Sequence, residues 1–305
     1  MKPKIIIADK IDSKAIKEAR EFAHVDEDFE VTAEQLKEKI KNYDAIIIRS
    51  RTKLARDIIS SGKNLKAIAR AGVGLDNVDL DAAKENGITV FNAPESLAIS
   101  VAEHAIGLML AVARNVARAD RAMRAGRWEK KENVGVELYG KTVGVLGFGR
   151  IGREVANRCY AFGMKVITYD PYLTIEDARE NNAEKVELEQ LFEKSDFVTL
   201  HLPATPETKG LVNKKLLSKM KKTAFLINTA RGSVVNEKDL IQALHDGAIK
   251  GAALDVYENE PLGESPLTKI DHVVLTPHLA SGTEDAQRVA GTIVVEKLKE
   301  FFKKN

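Results

Sequence analysis

Short apolar runs punctuate this chain at residues 4–8, 45–49, 66–69 and 89–91, and again at 142–146, 165–169, 197–202, 224–228, 252–256 and 273–275. Most are rich in β-branched residues and lack polar alternation, so they read as strands buried on both faces, as in a parallel sheet. Helical spacing fills the gaps, at 32–41, at 79–86 and at 150–162, where Ile151, Val155 and Cys159 share a face. Residues 100–125 are apolar at helical spacing up to Gly126 and predict one long helix. Residues 285–302 predict a closing amphipathic helix through Val289, Ile293, Leu298 and Phe301. This alternation of strand and helix predicts an α/β protein of two doubly wound parallel-sheet domains.

The run at 142–146 leads into Gly147-Phe148-Gly149-Arg150-Ile151-Gly152 and then a helix. Gly147 can take the tight turn, Gly149 lets a pyrophosphate approach the backbone, and Gly152 lets the helix pack close to the strand. The helix N-terminus offers N–H groups and partial positive charge to phosphates. The next strand ends in Asp170, about 20 residues beyond the turn, where a carboxylate can bind both ribose hydroxyls and repel a 2′-phosphate. A Rossmann unit that prefers NAD to NADP is expected. Because the turn lies in mid-chain, this unit is placed at residues 98–280, inserted into a flavodoxin-like substrate domain made of residues 1–97 and 281–305. A small ligand is expected in a cleft between the two.

With 44% hydrophobic and 30% charged residues, the composition is that of a soluble globular protein. Lysine plus arginine number 47 against 45 acidic residues, so a net charge of +2 gives no general attraction to nucleic acid or anionic membranes. No stretch stays apolar for the roughly 18 residues that a membrane span requires, and Met1-Lys2-Pro3-Lys4 leads into a strand without a signal-peptide core, so a cytoplasmic location is expected. Cys159 is the single cysteine, which excludes an internal disulfide and a cysteine metal cluster. His24, His245 and His272 show no ligand spacing, and no metal site is expected.

In an open α/β sheet, ligands sit beyond the carboxyl ends of strands, so the polar residues that follow strands carry the chemistry. Arg231 follows the strand ending at Asn228, and its guanidinium can grip a carboxylate through paired hydrogen bonds. Asp255 and Glu260 follow the strand at 252–254. His278, after Leu275-Thr276-Pro277, supplies an imidazole suited to taking a proton from an alcohol, and a carboxylate beside it would hold its tautomer. Arg49 and Arg51 form a pair at another strand end that suits a dianion, and the glycine-rich turn at Val73 and Gly74 offers backbone N–H groups to a carboxylate. His201 and Pro203 follow the strand at 197–200 and are candidates for the adenine side. His104 and Glu103, on the long helix, read as packed or solvated residues.

Together, Gly147-Phe148-Gly149-Arg150-Ile151-Gly152, Asn228-Thr229-Ala230-Arg231-Gly232, Leu254-Asp255-Val256-Tyr257-Glu258-Asn259-Glu260-Pro261 and Leu275-Thr276-Pro277-His278 resemble the D-isomer-specific 2-hydroxyacid dehydrogenases in order and spacing across nearly the whole chain. Arg49-Ser50-Arg51-Thr52, the stretch from Ala69 to Asp79 and Asn92-Ala93-Pro94 look most like the D-3-phosphoglycerate dehydrogenase branch in its short form. The resemblance implies that Arg231 binds the substrate carboxylate and C2 oxygen, that His278 is the acid/base, and that Glu260 pairs with it. It implies NAD contacts from Arg150 and Ile151 at the pyrophosphate, Asp170 at the ribose, and Thr229, Ala230 and Asp255 near the nicotinamide. Oxidation of D-3-phosphoglycerate to 3-phosphohydroxypyruvate, the first step of serine biosynthesis, is the expected activity, with the phosphate met by Arg49 and Arg51. Another D-2-hydroxyacid dehydrogenase, such as a glyoxylate/hydroxypyruvate reductase, is the alternative. An NAD(H)-sensing binding protein, like the related co-repressors, is a third reading. The family commonly has Asn three residues after the proline of its Asn-Ala-Pro motif, where this chain has Leu97. The residues after Phe302 are too few for the C-terminal serine-binding domain of longer relatives, so feedback through such a domain is not expected. The long helix and the segment bearing Trp128 correspond to a two-fold contact in the family, so a homodimer is expected.

Overall fold

A computed structural model describes residues 2–304, which fall into two compact units: residues up to Ala98 together with those from Ser281 onward, and Ile99–Ala280. The first unit holds β1 (Lys4–Ile7), β2 (His24–Glu27), β3 (Ala45–Ile48), β4 (Ala67–Arg70) and β5 (Thr89–Asn92). They form one sheet in the order β2-β1-β3-β4-β5, every pair parallel. This is the flavodoxin-like order, with its topological switch point between β1 and β3. Strand alternation serves two cores: Ile5 and Ile7 belong to one, Ile6 and Ala8 to the other. The helix Glu284–Lys304 contributes Ala290, Val294, Val295 and Leu298 to the first of these cores, so the chain's end completes the sheet with which it begins.

The second unit holds β6 (Thr142–Leu146), β7 (Lys165–Tyr169), β8 (Glu184–Lys185), β9 (Phe197–Leu200), β10 (Phe225–Asn228), β11 (Gly251–Leu254) and β12 (Val273–Leu275). Their order is β12-β11-β10-β9-β6-β7-β8, again all parallel. It is the Rossmann order with a seventh strand, and its switch point lies between β6 and β9. Both units thus have the predicted fold class.

Two edge strands went unpredicted, His24–Glu27 and Glu184–Lys185. Apart from Val25, half-buried against a core, their residues are charged or exposed, because an edge needs little apolar surface and is protected by charge. The long helix predicted at 100–125 is in fact two, Ala98–Ala113 and Val116–Arg124, bent by 64°. Asn115 sits in the left-handed region at φ 54°, a conformation asparagine tolerates. The Ala113 carbonyl, which would continue the helix, accepts instead from the Val136 N–H at 2.9 Å.

Candidate functional site

The three glycines of the β6 turn have three separate physical reasons. Gly147 has φ 91°, and a Cβ there would also strike the His201 carbonyl. A Cβ on Gly152 would strike the Gly147 carbonyl, so the helix Arg150–Ala161 can lie this close only without one. Gly149 differs: its φ of −70° suits any residue, and a Cβ would meet nothing within 4 Å. The fold itself leaves that position open. Asp170, just past β7, accepts from the Phe148 N–H and the Tyr172 N–H, each at 2.9 Å. A carboxylate has about four acceptor positions, so roughly two remain for hydroxyls. Arg150 begins the helix and is exposed, while Ile151 packs against one core of this unit.

Across the switch point, His201 follows β9 and Thr229 follows β10. His201 Nε2 lies 2.9 Å from Thr199 Oγ1, whereas its Nδ1 is enclosed and, among the described residues, has no hydrogen-bond partner. Although the residue as a whole is only half-buried, burial pushes its imidazole down to about 3, so it is neutral at ordinary pH. Thr229 Oγ1 is likewise buried and has no hydrogen-bond partner among the described residues. An unpaired buried polar atom costs about 1–3 kcal/mol, and two at one sheet end are best explained by a ligand that pairs with them. Ala230 is buried beside Thr229, and Pro203 is exposed beyond His201. The turn, Asp170, His201 and Thr229 fit a dinucleotide.

Arg231 is extended and half-buried between β10 and the 3₁₀ turn Gly232–Val234. Buried Asn228 staples its turn: the Asn228 Nδ2 donates to the Arg231 carbonyl at 3.1 Å and its Oδ1 accepts from the Ala230 N–H at 3.0 Å. A Cβ on Gly232 would collide with the Tyr257 backbone, so this glycine brings the Arg231 turn against the loop that carries Glu260. Glu260 accepts from the Tyr257 N–H at 3.1 Å with one oxygen and lies 2.7 Å from His278 Nδ1 with the other. An ionised carboxylate only accepts, so beside it the neutral imidazole carries its proton on Nδ1 and its lone pair on Nε2, the tautomer a general base needs. The His278 and Glu260 side chains are 47% and 36% exposed, and a pair so exposed is worth at most about 1 kcal/mol to stability. Holding the imidazole in one tautomer is the larger effect of this contact.

His278 itself has φ 54°. Asp255, fully buried at the end of β11, fixes the segment around it. Its backbone carbonyl accepts from the His278 N–H at 2.9 Å, and its carboxylate accepts from Thr276 Oγ1 at 2.6 Å, Leu279 N at 2.7 Å and Ala280 N at 2.9 Å. Burial alone would raise this carboxyl, but hydrogen bonds from His104, Thr276, Leu279 and Ala280 outweigh it and hold it below the ordinary range. Sequence reasoning missed Asn228, Tyr257 and Thr276 as parts of this site, although all three stand inside the motifs that revealed it. The sequence carries no signal for His104.

In the first unit, Asp9 after β1 and Arg49 and Arg51 after β3 meet at the switch point. Asp9 is buried and accepts from Arg51 Nε at 2.9 Å, Arg49 N at 2.5 Å, Thr52 N at 3.2 Å and Thr52 Oγ1 at 2.9 Å. Arg51 also donates to the Ala8 carbonyl at 2.5 Å. The Arg49 guanidinium makes one long contact, 3.4 Å to the Lys10 carbonyl, and burial lowers it while Asp9 opposes the shift. These residues line a hollow of about 340 Å³ with Lys10, Phe29 and Glu30. Val73 and Gly74 are half-buried after β4, in a turn steadied by Asn92 Nδ2 on the Val73 carbonyl at 2.7 Å. Leu97 is buried.

The family profile for the D-isomer-specific 2-hydroxyacid dehydrogenase NAD-binding domain matches residues 106–280. This chain belongs to that family. Its Rossmann unit is the family's NAD-binding domain, and NAD is the cofactor the site fits. The D-3-phosphoglycerate dehydrogenase of Methanocaldococcus jannaschii is 46% identical over 301 residues, covering 98% of this chain and 57% of that protein. The hydroxypyruvate reductase of Thermotoga maritima is 47% identical over 290 residues, covering 92% of this chain and 94% of that protein. A D-lactate dehydrogenase from Aquifex aeolicus, solved with NAD and lactic acid, aligns with a TM-score of 0.85 at 30% identity, covering 99% of this chain and 96% of that one. The family member described here spans a little over half the length of the first relative and nearly all of the second.

Proposed function

We propose that this chain catalyses NAD-dependent oxidation of D-3-phosphoglycerate to 3-phosphohydroxypyruvate, the entry to serine biosynthesis. The observation that carries the reading is the His278–Glu260 pair: an exposed imidazole in the base tautomer, at a strand end of an NAD-binding unit that also presents Arg231. Bound NAD supplies the hydride acceptor. Arg231 holds the substrate carboxylate and polarises the C2 oxygen, His278 Nε2 takes the hydroxyl proton, and Glu260 stabilises the imidazolium that results. Such a base contributes typically about 10²- to 10⁴-fold. Arg49 is the phosphate contact, since its guanidinium is less engaged with the protein than that of Arg51.

Identity over nearly the full length of a hydroxypyruvate reductase supports a second reading, reduction of hydroxypyruvate or glyoxylate. Steady-state rates with 3-phosphoglycerate and phosphohydroxypyruvate, set against hydroxypyruvate, glyoxylate and D-lactate, separate the two. Equal efficiency on unphosphorylated acids rejects the phosphate reading, and no turnover on any acid revives an NAD(H)-sensing role. A homodimer is part of the proposal: Trp128, Val134 and Tyr139 are 78%, 75% and 76% exposed within one segment, more apolar surface than a solvated loop needs. Light scattering should return twice the chain mass.

A further inference from the structure

His104, on the helix Ala98–Ala113, belongs to no motif, yet its Nε2 lies 3.1 Å from Thr276 Oγ1 and 3.3 Å from Asp255 Oδ1. Thr276 uses its hydroxyl proton on Asp255, so the hydroxyl oxygen remains an acceptor, and a single Nε2–H can serve both oxygens. The other groups that reach the Asp255 carboxylate, Thr276, Leu279 and Ala280, all belong to the segment that carries His278. Among the described contacts, His104 alone reaches it from a different element. The His278 segment leaves its strand in the left-handed region, a conformation an isolated loop would not keep, and its orientation rests on this carboxylate.

We propose that His104 is a positioning residue: by donating to Thr276 and Asp255 it locks the 276–280 segment to the helix and sets the angle at which His278 meets the alcohol. It touches no substrate and exchanges no proton in the reaction. The inference rests on His278 being the base. Misplacing a reacting group by a fraction of an ångström slows the chemical step without changing binding, and losses of up to about 100-fold follow from about 1 Å.

The test is a set of variants, His104→Phe, His104→Ala and His104→Gln, assayed beside His278→Ala. His104→Phe fills the space without a donor and should lower kcat about 5- to 50-fold. KM for the acid and the Kd of NADH should stay within about twofold, since neither ligand contact is altered. His104→Gln, whose amide N–H can stand near the Nε2 position, should recover to within about threefold of wild type. Full turnover in His104→Phe and His104→Ala beside an inactive His278→Ala overturns the positioning role alone. A parallel fall in kcat and NADH affinity, unrelieved by Gln, overturns it in favour of general packing. Normal turnover in His278→Ala removes the base itself, and the inference with it.

Discussion

Two buried aspartates, one in each unit, do the same mechanical job with different results. Asp9 ends β1 and gathers the loop after β3; Asp255 ends β11 and gathers the loop after β12. Each carboxylate is enclosed and satisfied by backbone and hydroxyl donors from the neighbouring strand's end, which makes the loop rigid where strands stop supporting it. In the first unit the carboxylate also draws in a guanidinium, that of Arg51, and leaves Arg49 less engaged. In the second unit His278 gives Asp255 only its backbone N–H, and the imidazole pairs with a separate, exposed acid, Glu260. A side chain at a strand end is available for chemistry when the loop is held by other groups. Residue type alone does not say which one that is.

The largest expected effect tests the second loop. His278→Ala should lower kcat by about 10²- to 10⁴-fold while fluorescence titration finds NADH binding within about twofold of wild type; a variant that turns over normally removes His278 from the chemistry. Next, the two arginines should part company. Arg49→Ala should raise KM for the phosphorylated acid about 10- to 100-fold with little change in melting temperature. Arg51→Ala should mainly destabilise, by about 1–3 kcal/mol, because it takes a charged hydrogen-bond donor from a buried carboxylate. Reversed phenotypes would show that occupancy by Asp9 is no guide to function.

The glycine turn offers a third contrast. Gly149→Val adds a side chain where the protein has room, so it should leave the melting temperature within a degree or two and weaken NADH at least about 10-fold. Gly152→Ala drives a methyl group into the Gly147 carbonyl and should cost about 1–3 kcal/mol of stability as well. Equal stability in the two variants would refute the separation. The smallest effect concerns acid. Asp255 is held below its ordinary 3.8, so the stability it contributes is complete above that value and is lost as pH falls through the lower, folded one. Between about pH 5 and about pH 3, Asp255→Asn should therefore lose fewer degrees of melting temperature than wild type, by a few degrees in scanning calorimetry; parallel curves would contradict it.

Much of this was legible in one dimension. Apolar runs without alternation announced parallel sheets, and strand, glycines and Asp170 announced a dinucleotide site, because both are set by local geometry and by spacing of a few to about twenty residues. Arg231, Glu260 and His278 stood out as candidates because strand ends are where sheets expose chemistry. The polar edge strands and the break at Asn115 were not legible, since an edge carries little burial pattern and the break depends on the distant Val136 N–H donating to the Ala113 carbonyl.

The sequence by itself determined which residue types stand at which strand ends and that one sheet binds a dinucleotide. Only the tertiary structure decided how their hydrogen-bonding capacity is divided. It tied Arg51 to Asp9, reserved Asp255 for its loop, joined Glu260 to His278 at 2.7 Å, and brought His104 to Thr276 across 172 positions of chain. Burial patterns repeat along a chain and can be read from it. A hydrogen-bond partner is chosen by which loops meet, and that meeting exists only once the sheets have formed.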